Sequence, residues 1–135
     1  MIQQTFVIIK PDAIQRGLIG KIISRFEDKQ LDILEIGMRV KNTCWCKQHY
    51  RNIDEYEILN RLYFFMTNTP LIGITLYGEE AIQIVRGMVG RTNSTLAAVG
   101  TIRGDYGGLP VHENLVHASS DVDAAAYERR LFFNE

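Results

Sequence analysis

The chain has 135 residues, 46% hydrophobic and 23% charged, enough for one buried core and ordinary for a soluble globular protein. A net charge of −1 and an isoelectric point near 6.3 carry no electrostatic footprint of a nucleic-acid or membrane-surface binder. No apolar run approaches the roughly 20 residues that span a bilayer, and MIQQTFVIIKPD lacks the features of a secretory signal, so a cytoplasmic address is expected.

From the N-terminus, Thr5–Lys10 (TFVIIK) is short, β-branched and apolar and is stopped by Pro11, which predicts a central strand. Asp12 can cap a helix in which Ile14, Leu18, Ile22 and Phe26 recur every four residues, with Ile19 and Ile23 widening the stripe to about Lys29. Leu34, Ile36, Met38 and Val40 alternate with other residues, the period of a second strand. Thr43–Met66 lacks both Gly and Pro and reads as one or two helices. Within it, Cys44 and Cys46 are one residue apart, too close for an unstrained disulfide. A zinc reading with His49 lacks a second ligand pair at a usual spacing, so the cysteines are read as reduced and inert.

Leu71–Tyr77 predicts a third strand, and Glu79–Val89 a helix with Ile82, Val85 and Val89 on one face. Arg91–Gly100 reads as a loop, Gly104–Glu113 as a glycine-rich loop, and Asn114–Ala118 as a short last strand. Asp121–Phe132 closes the chain as a helix, capped by Ser120 or Asp121. This order contains the split βαβ repeat of the ferredoxin-like architecture, with a four-stranded antiparallel sheet covered by helices; periodicity alone also allows a small doubly wound sheet.

Gly17-Leu-Ile-Gly20-Lys21 has two residues between its glycines and Ile22 after the lysine, which excludes a P-loop. More informative are polar residues at strand ends and in loops: Lys10, Arg86, Thr92, Asn93, Arg103 and Asn114. Ammonium and guanidinium groups converging with Thr and Asn donors suit a polyanion. Each alone also fits a solvated surface charge. In NLVHASSD, His117 fits a buried strand histidine bonded to backbone. It equally fits a neutral imidazole nucleophile whose tautomer is fixed by Ser119 or Glu128.

The blocks Thr5–Asp12 (TFVIIKPD), Arg16–Gly20 (RGLIG), His49-Tyr50, Gly100–Asp105 (GTIRGD) and Asn114–Ser119 (NLVHAS) together resemble the nucleoside diphosphate kinase family, in its order and at nearly its spacing. The resemblance implies the ferredoxin-like fold over one domain, residues 1–135. It also implies ping-pong transfer of a γ-phosphate between nucleoside tri- and diphosphates through a phosphohistidine. His117 is then the phosphate carrier through Nδ1, with Lys10 on the phosphates and ribose, Tyr50 beside the histidine, and Ser119 and Glu128 orienting it. Arg86 and Thr92 resemble the β-phosphate ligands, Arg103 the arginine on the transferred phosphate, Asn114 the ribose contact, and Leu62 the residue against the base. Mg²⁺ is expected to be held mainly by the phosphates, Asp121 being the one side chain weighed as a direct ligand. A homo-oligomer is expected, a hexamer ahead of a tetramer or dimer, with no need for nucleic acid or membrane.

Four positions depart from the family pattern. Ser120 stands where an aspartate usually follows the serine, and the carboxylate comes one residue later at Asp121. Ile58 stands where an aromatic usually stacks on the base, and Val99 where a proline usually precedes GTIRGD. The Asp105–Glu113 loop is one residue longer than the common form.

Overall fold

The first strand, β1 (Ile2–Ile9), lies in the interior of the sheet because both of its faces are apolar: Phe6, Val7, Ile8 and Ile9 are all fully buried. In this computed structural model, which describes residues 1–134, it is followed by α1 (Pro11–Gln15), α2 (Ile19–Asp28), β2 (Asp32–Val40), α3 (Thr43–His49) and α4 (Tyr56–Met66). Then come β3 (Pro70–Glu79), α5 (Ala81–Val89), a 3-10 turn at Ser94–Leu96, α6 (Ile102–Tyr106), β4 (Val116–Ala118) and α7 (Val122–Phe133). The strands lie in the order β2-β3-β1-β4, every neighbouring pair antiparallel. That is the split βαβ order, and it removes the doubly wound alternative.

Two cores flank the sheet. On one face Val7, Ile9, Ile72 and Ile74 meet Ile22 and Phe26 of α2 and Val85 and Val89 of α5. On the other, Phe6, Ile8 and Leu71 meet Trp45 of α3, Leu62 and Met66 of α4, and Ala125 and Phe132 of α7. No helix among the described residues is long and apolar enough to cross a membrane.

The structure corrects three expectations and chooses between the two caps predicted for the last helix. The predicted helix to Lys29 is two helices, broken where Gly17 takes φ 71°, a left-handed conformation that favours glycine. Asp12 does not cap it: Lys10 occupies the N-cap position, and the Asp12 carboxylate instead accepts from Leu115 N at 3.1 Å, tying α1 to the segment before β4. The glycine-rich stretch from Gly104 begins inside α6, which Thr101 caps by accepting from Gly104 N at 3.0 Å. Asp121, not Ser120, caps α7 by accepting from Ala124 N at 2.7 Å.

The second strand forms as predicted, yet its apolar set does not enter the core. Leu34, Ile36, Met38 and Val40 are 51%, 50%, 53% and 62% exposed. Ile36 and Met38 stand opposite Ile74 and Ile72, so they share the face of α2 and α5, but β2 is the edge strand, beyond the cover of those helices.

Candidate active site

A cleft of about 220 Å³ opens beyond the ends of β1 and β4 and is lined by Lys10, Arg86, Thr92, Arg103, Asn114, His117, Ser120 and Glu128, with Gly90. Five segments supply these side chains. Lys10 follows β1, Arg86 lies in the last turn of α5, Arg103 starts α6, His117 sits on β4 opposite Ile8, and Glu128 projects from α7.

Arg103 is buried and donates from Nε to Asn114 O (3.1 Å), from Nη1 to Gly90 O (3.1 Å) and from Nη2 to Val116 O (2.5 Å). A guanidinium has about five N–H donors, so two remain for a ligand. Burial first, and then Arg86 nearby, lower its pKa to about 10, which leaves it charged at neutral pH. Lys10, also buried, donates to Asn114 Oδ1 at 2.7 Å and reaches His112 O at 3.5 Å. Burial, with Arg103 adding repulsion and Asp12 a partial offset, brings its pKa down to about 8. Asn114 completes the set by donating from Nδ2 to Thr92 O at 2.9 Å. Arg86 donates to Ala118 O at 3.2 Å and is otherwise exposed, so it can turn toward a ligand.

His117 Nε2 lies 2.7 Å from Glu128 Oε1, and Ser119 Oγ lies 2.5 Å from the same oxygen and 3.1 Å from Phe6 O. A carboxylate only accepts, so Nε2 carries the ring proton and Nδ1 keeps a free lone pair. Burial raises the Glu128 pKa, but the hydrogen bonds from His117 and Ser119 outweigh it and hold the group below its usual value. Glu128 is the sole carboxylate among the described residues lining the cleft. Three cations facing one engaged carboxylate fit a polyanionic ligand, and the bare Nδ1 fits a nucleophile.

His49 proves to be a direct neighbour of His117, a contact that its sequence readings did not anticipate. Its buried ring packs edge-on against His117 at 4.7 Å and stacks on Trp45 at 5.0 Å. Burial, then His117 and Lys10, lower its pKa well below the ordinary value, so it is neutral. The available signal was helical spacing: Trp45, Cys46 and His49 form the buried face of α3. Tyr50 is one ring further out, 4.6 Å from His49, and burial raises its phenol pKa. Burial also pushes the Cys46 thiol up to about 12, in keeping with an unreactive thiol, while Cys44 is exposed.

Tyr50, Ile58, Leu62 and Asp121 do not line this cleft. Leu62 packs in the core with Trp45 and Met66, and Ile58 is exposed one turn earlier on α4. Phe65, on the same helical face, meets the His112 ring at 5.2 Å and so joins α4 to the loop after α6.

A family model, nucleoside diphosphate kinase, matches residues 3–135. The nucleoside diphosphate kinase of Methanobrevibacter smithii is 42% identical over 135 residues, covering all of this chain and 89% of that protein. A halophilic nucleoside diphosphate kinase from Halobacterium salinarum in complex with CDP superposes with a TM-score of 0.93 at 36% identity, covering 100% of this chain and 90% of that one. A transition-state mimic of the Borrelia burgdorferi enzyme, with bound vanadate and ADP, gives 0.91 at 32% identity over 99% and 88%.

Because Arg103 satisfies three carbonyls from separate segments, Arg103→Met should lower unfolding stability by about 2–4 kcal/mol in thermal or urea melts. Arg103→Lys should recover less than half of that, since one ammonium cannot repeat the fork. Unchanged melting of Arg103→Met would remove this structural role.

Proposed function

The chain belongs to the nucleoside diphosphate kinase family, and we propose that it performs the family's reaction in two half-steps through His117. The tautomer carries the reading: with the Nε2 proton held by Glu128, which Ser119 in turn orients, Nδ1 is a ready nucleophile in a cleft walled by cations. In the first step the Nδ1 lone pair attacks the γ-phosphorus of a nucleoside triphosphate. An N–P bond forms, the bond to the β,γ-bridging oxygen breaks, and its electron pair leaves with the diphosphate. Glu128 stabilises the charge that develops on the ring. In the second step a terminal β-phosphate oxygen of another nucleoside diphosphate attacks the same phosphorus, the N–P bond breaks, and the lone pair returns to Nδ1.

Lys10, Arg86 and Arg103 supply counter-charge to the phosphoryl oxygens, and Thr92 and Asn114 supply polar contacts to the phosphates and ribose. Tyr50 acts through His49, whose ring meets both Tyr50 and His117 edge-on. The base lies toward α4, near Ile58 and Leu62, with few polar contacts to it, which suits broad base tolerance. Mg²⁺ enters with the nucleotide and adds counter-charge to its phosphates. The protein's donors fit that arrangement, because Glu128 is committed to His117 and Ser119 while Asp121 caps α7.

Self-association belongs to the same reading. The edge strand β2 exposes Leu34, Ile36, Met38 and Val40, an apolar strip for a second copy. Light scattering should give a mass of at least a dimer, with the hexamer preferred; a monomer at working concentration would remove this part.

Incubation with γ-labelled ATP and Mg²⁺ should produce an acid-labile, alkali-stable phosphoprotein that passes its label to GDP. His117→Ala should abolish labelling while retaining fold and nucleotide binding. Wild-type protein that binds ATP yet never takes up label would sink the enzyme reading.

The pH profile follows from Lys10. Its ammonium is charged in the free protein below about 8 and is lost as pH rises through that value. Accordingly kcat/KM should fall above about pH 8, while kcat falls less because bound phosphate retains the proton. A kcat/KM that stays flat through pH 9.5 would contradict this.

A further inference from the structure

We infer that His49, His117 and Glu128 form a Zn²⁺ site that shuts off the catalytic histidine by reversing its tautomer. One ligand atom from each residue lies within 4.8 Å of the others. His49 is 92% buried by its 8% exposure, and its Nδ1 is buried without a hydrogen-bond partner. Its ring is fixed between Trp45 and His117, and Glu128 is already oriented by Ser119. Two imidazoles and one carboxylate are a borderline-soft set that suits zinc at bond lengths of about 2.0–2.2 Å. Mg²⁺ prefers six oxygens and finds only one carboxylate here. The Ser119–Glu128 contact supplies the supporting hydrogen bond common behind metal ligands.

The chemical consequence comes from the nitrogen used. Nε2 faces Glu128, so the metal takes the place of the Nε2 proton, and that proton moves through solvent to Nδ1. The imidazole stays neutral, but the lone pair of Nδ1 now holds an N–H bond and is no longer a nucleophile. Phosphates can still occupy the Lys10, Arg86 and Arg103 end of the cleft. Zinc therefore blocks phosphoryl transfer without competing for the nucleotide.

The test begins with nucleotide-free protein dialysed against buffered Zn²⁺, with bound metal measured directly. About one zinc per chain is expected, with affinity at least about tenfold weaker in His49→Gln and in His117→Ala, and unchanged in Cys44→Ser. Circular dichroism melts identify a variant that has lost its fold, and either histidine variant suffices. After unbound zinc is removed, the loaded protein should take label from Mg-ATP at least about tenfold more slowly, and recover after chelation and return of Mg²⁺. Zinc binding indifferent to both histidines, loss only in Cys44→Ser, or full-speed labelling of the zinc-loaded protein would each overturn the inference. Dialysis uses no nucleotide, so it reads the metal site even if labelling fails in metal-free protein and the kinase reading falls.

Discussion

The buried guanidinium of Arg103 is the constraint on which the cleft depends. Its three carbonyl partners come from the end of α5, the segment before β4, and β4 itself. Removing it would leave those carbonyls without a donor in a place water does not replace them freely. Beside it, the Lys10 ammonium is buried, with Asn114 and a distant carbonyl as its hydrogen-bond partners among the described residues. A pKa moved from 10.5 to about 8 corresponds to a penalty on the order of 3 kcal/mol for keeping that charge at neutral pH. The sign is definite: the penalty is present below about 8 and is relieved as pH rises toward 10.5, where the unfolded chain also loses its proton. An arriving phosphate offsets the same penalty, so part of the work of organising charge is done before the ligand arrives.

The nucleophile is anchored to the sheet with equal economy. His117 stands opposite Ile8 on β1, and Ser119 N donates to Phe6 O at 3.0 Å just beyond the pair. Lys10 N donates to Leu115 O at 2.9 Å at the other end of the same short ladder. Three residues of β4 thereby set the distance between the cation of Lys10 and the imidazole, and α7 adds only the carboxylate that fixes the tautomer. Since β1 is covered on both faces by cores, neither group can drift without disturbing packed side chains.

Much of this was legible in the residues. Continuous apolar β1, the alternation of β2, and the stripe Ile82, Val85, Val89 each gave the right element, because local period reports which faces are covered. What failed was tertiary. Asp12 looked like a cap, yet its carboxylate serves Leu115, more than 100 positions away. The apolar alternation of β2 carried no sign that the strand would be an edge, since period two reports a face but not its cover. For the site, convergence of Lys10, Arg86, Thr92, Arg103, Asn114, His117 and Glu128 was expected, and the cleft contains all seven; Asn93, expected with them, instead caps the 3-10 turn at Ser94–Leu96. Arg103 was read as a phosphate group alone; the structure gives it a second, structural task that no local pattern encodes. The contact of His49 with His117 was hidden for a similar reason: it joins α3 to β4, elements far apart in the chain.

The two ends of the cleft also divide its chemistry. At one end Lys10, Arg86 and Arg103 repel any free divalent ion, so a hard cation reaches that end only when phosphates carry it in. At the other, His117 and Glu128 face each other, with His49 packed edge-on against the His117 ring. The ordinary occupant of that end is a single proton between His117 and Glu128, and its location decides which ring nitrogen is basic. Ser119 makes that choice more secure by donating to the same carboxylate oxygen, which draws negative charge toward the Nε2 side. Reactivity at Nδ1 is thus controlled from the opposite face of the ring, by a group that never has to touch the phosphate.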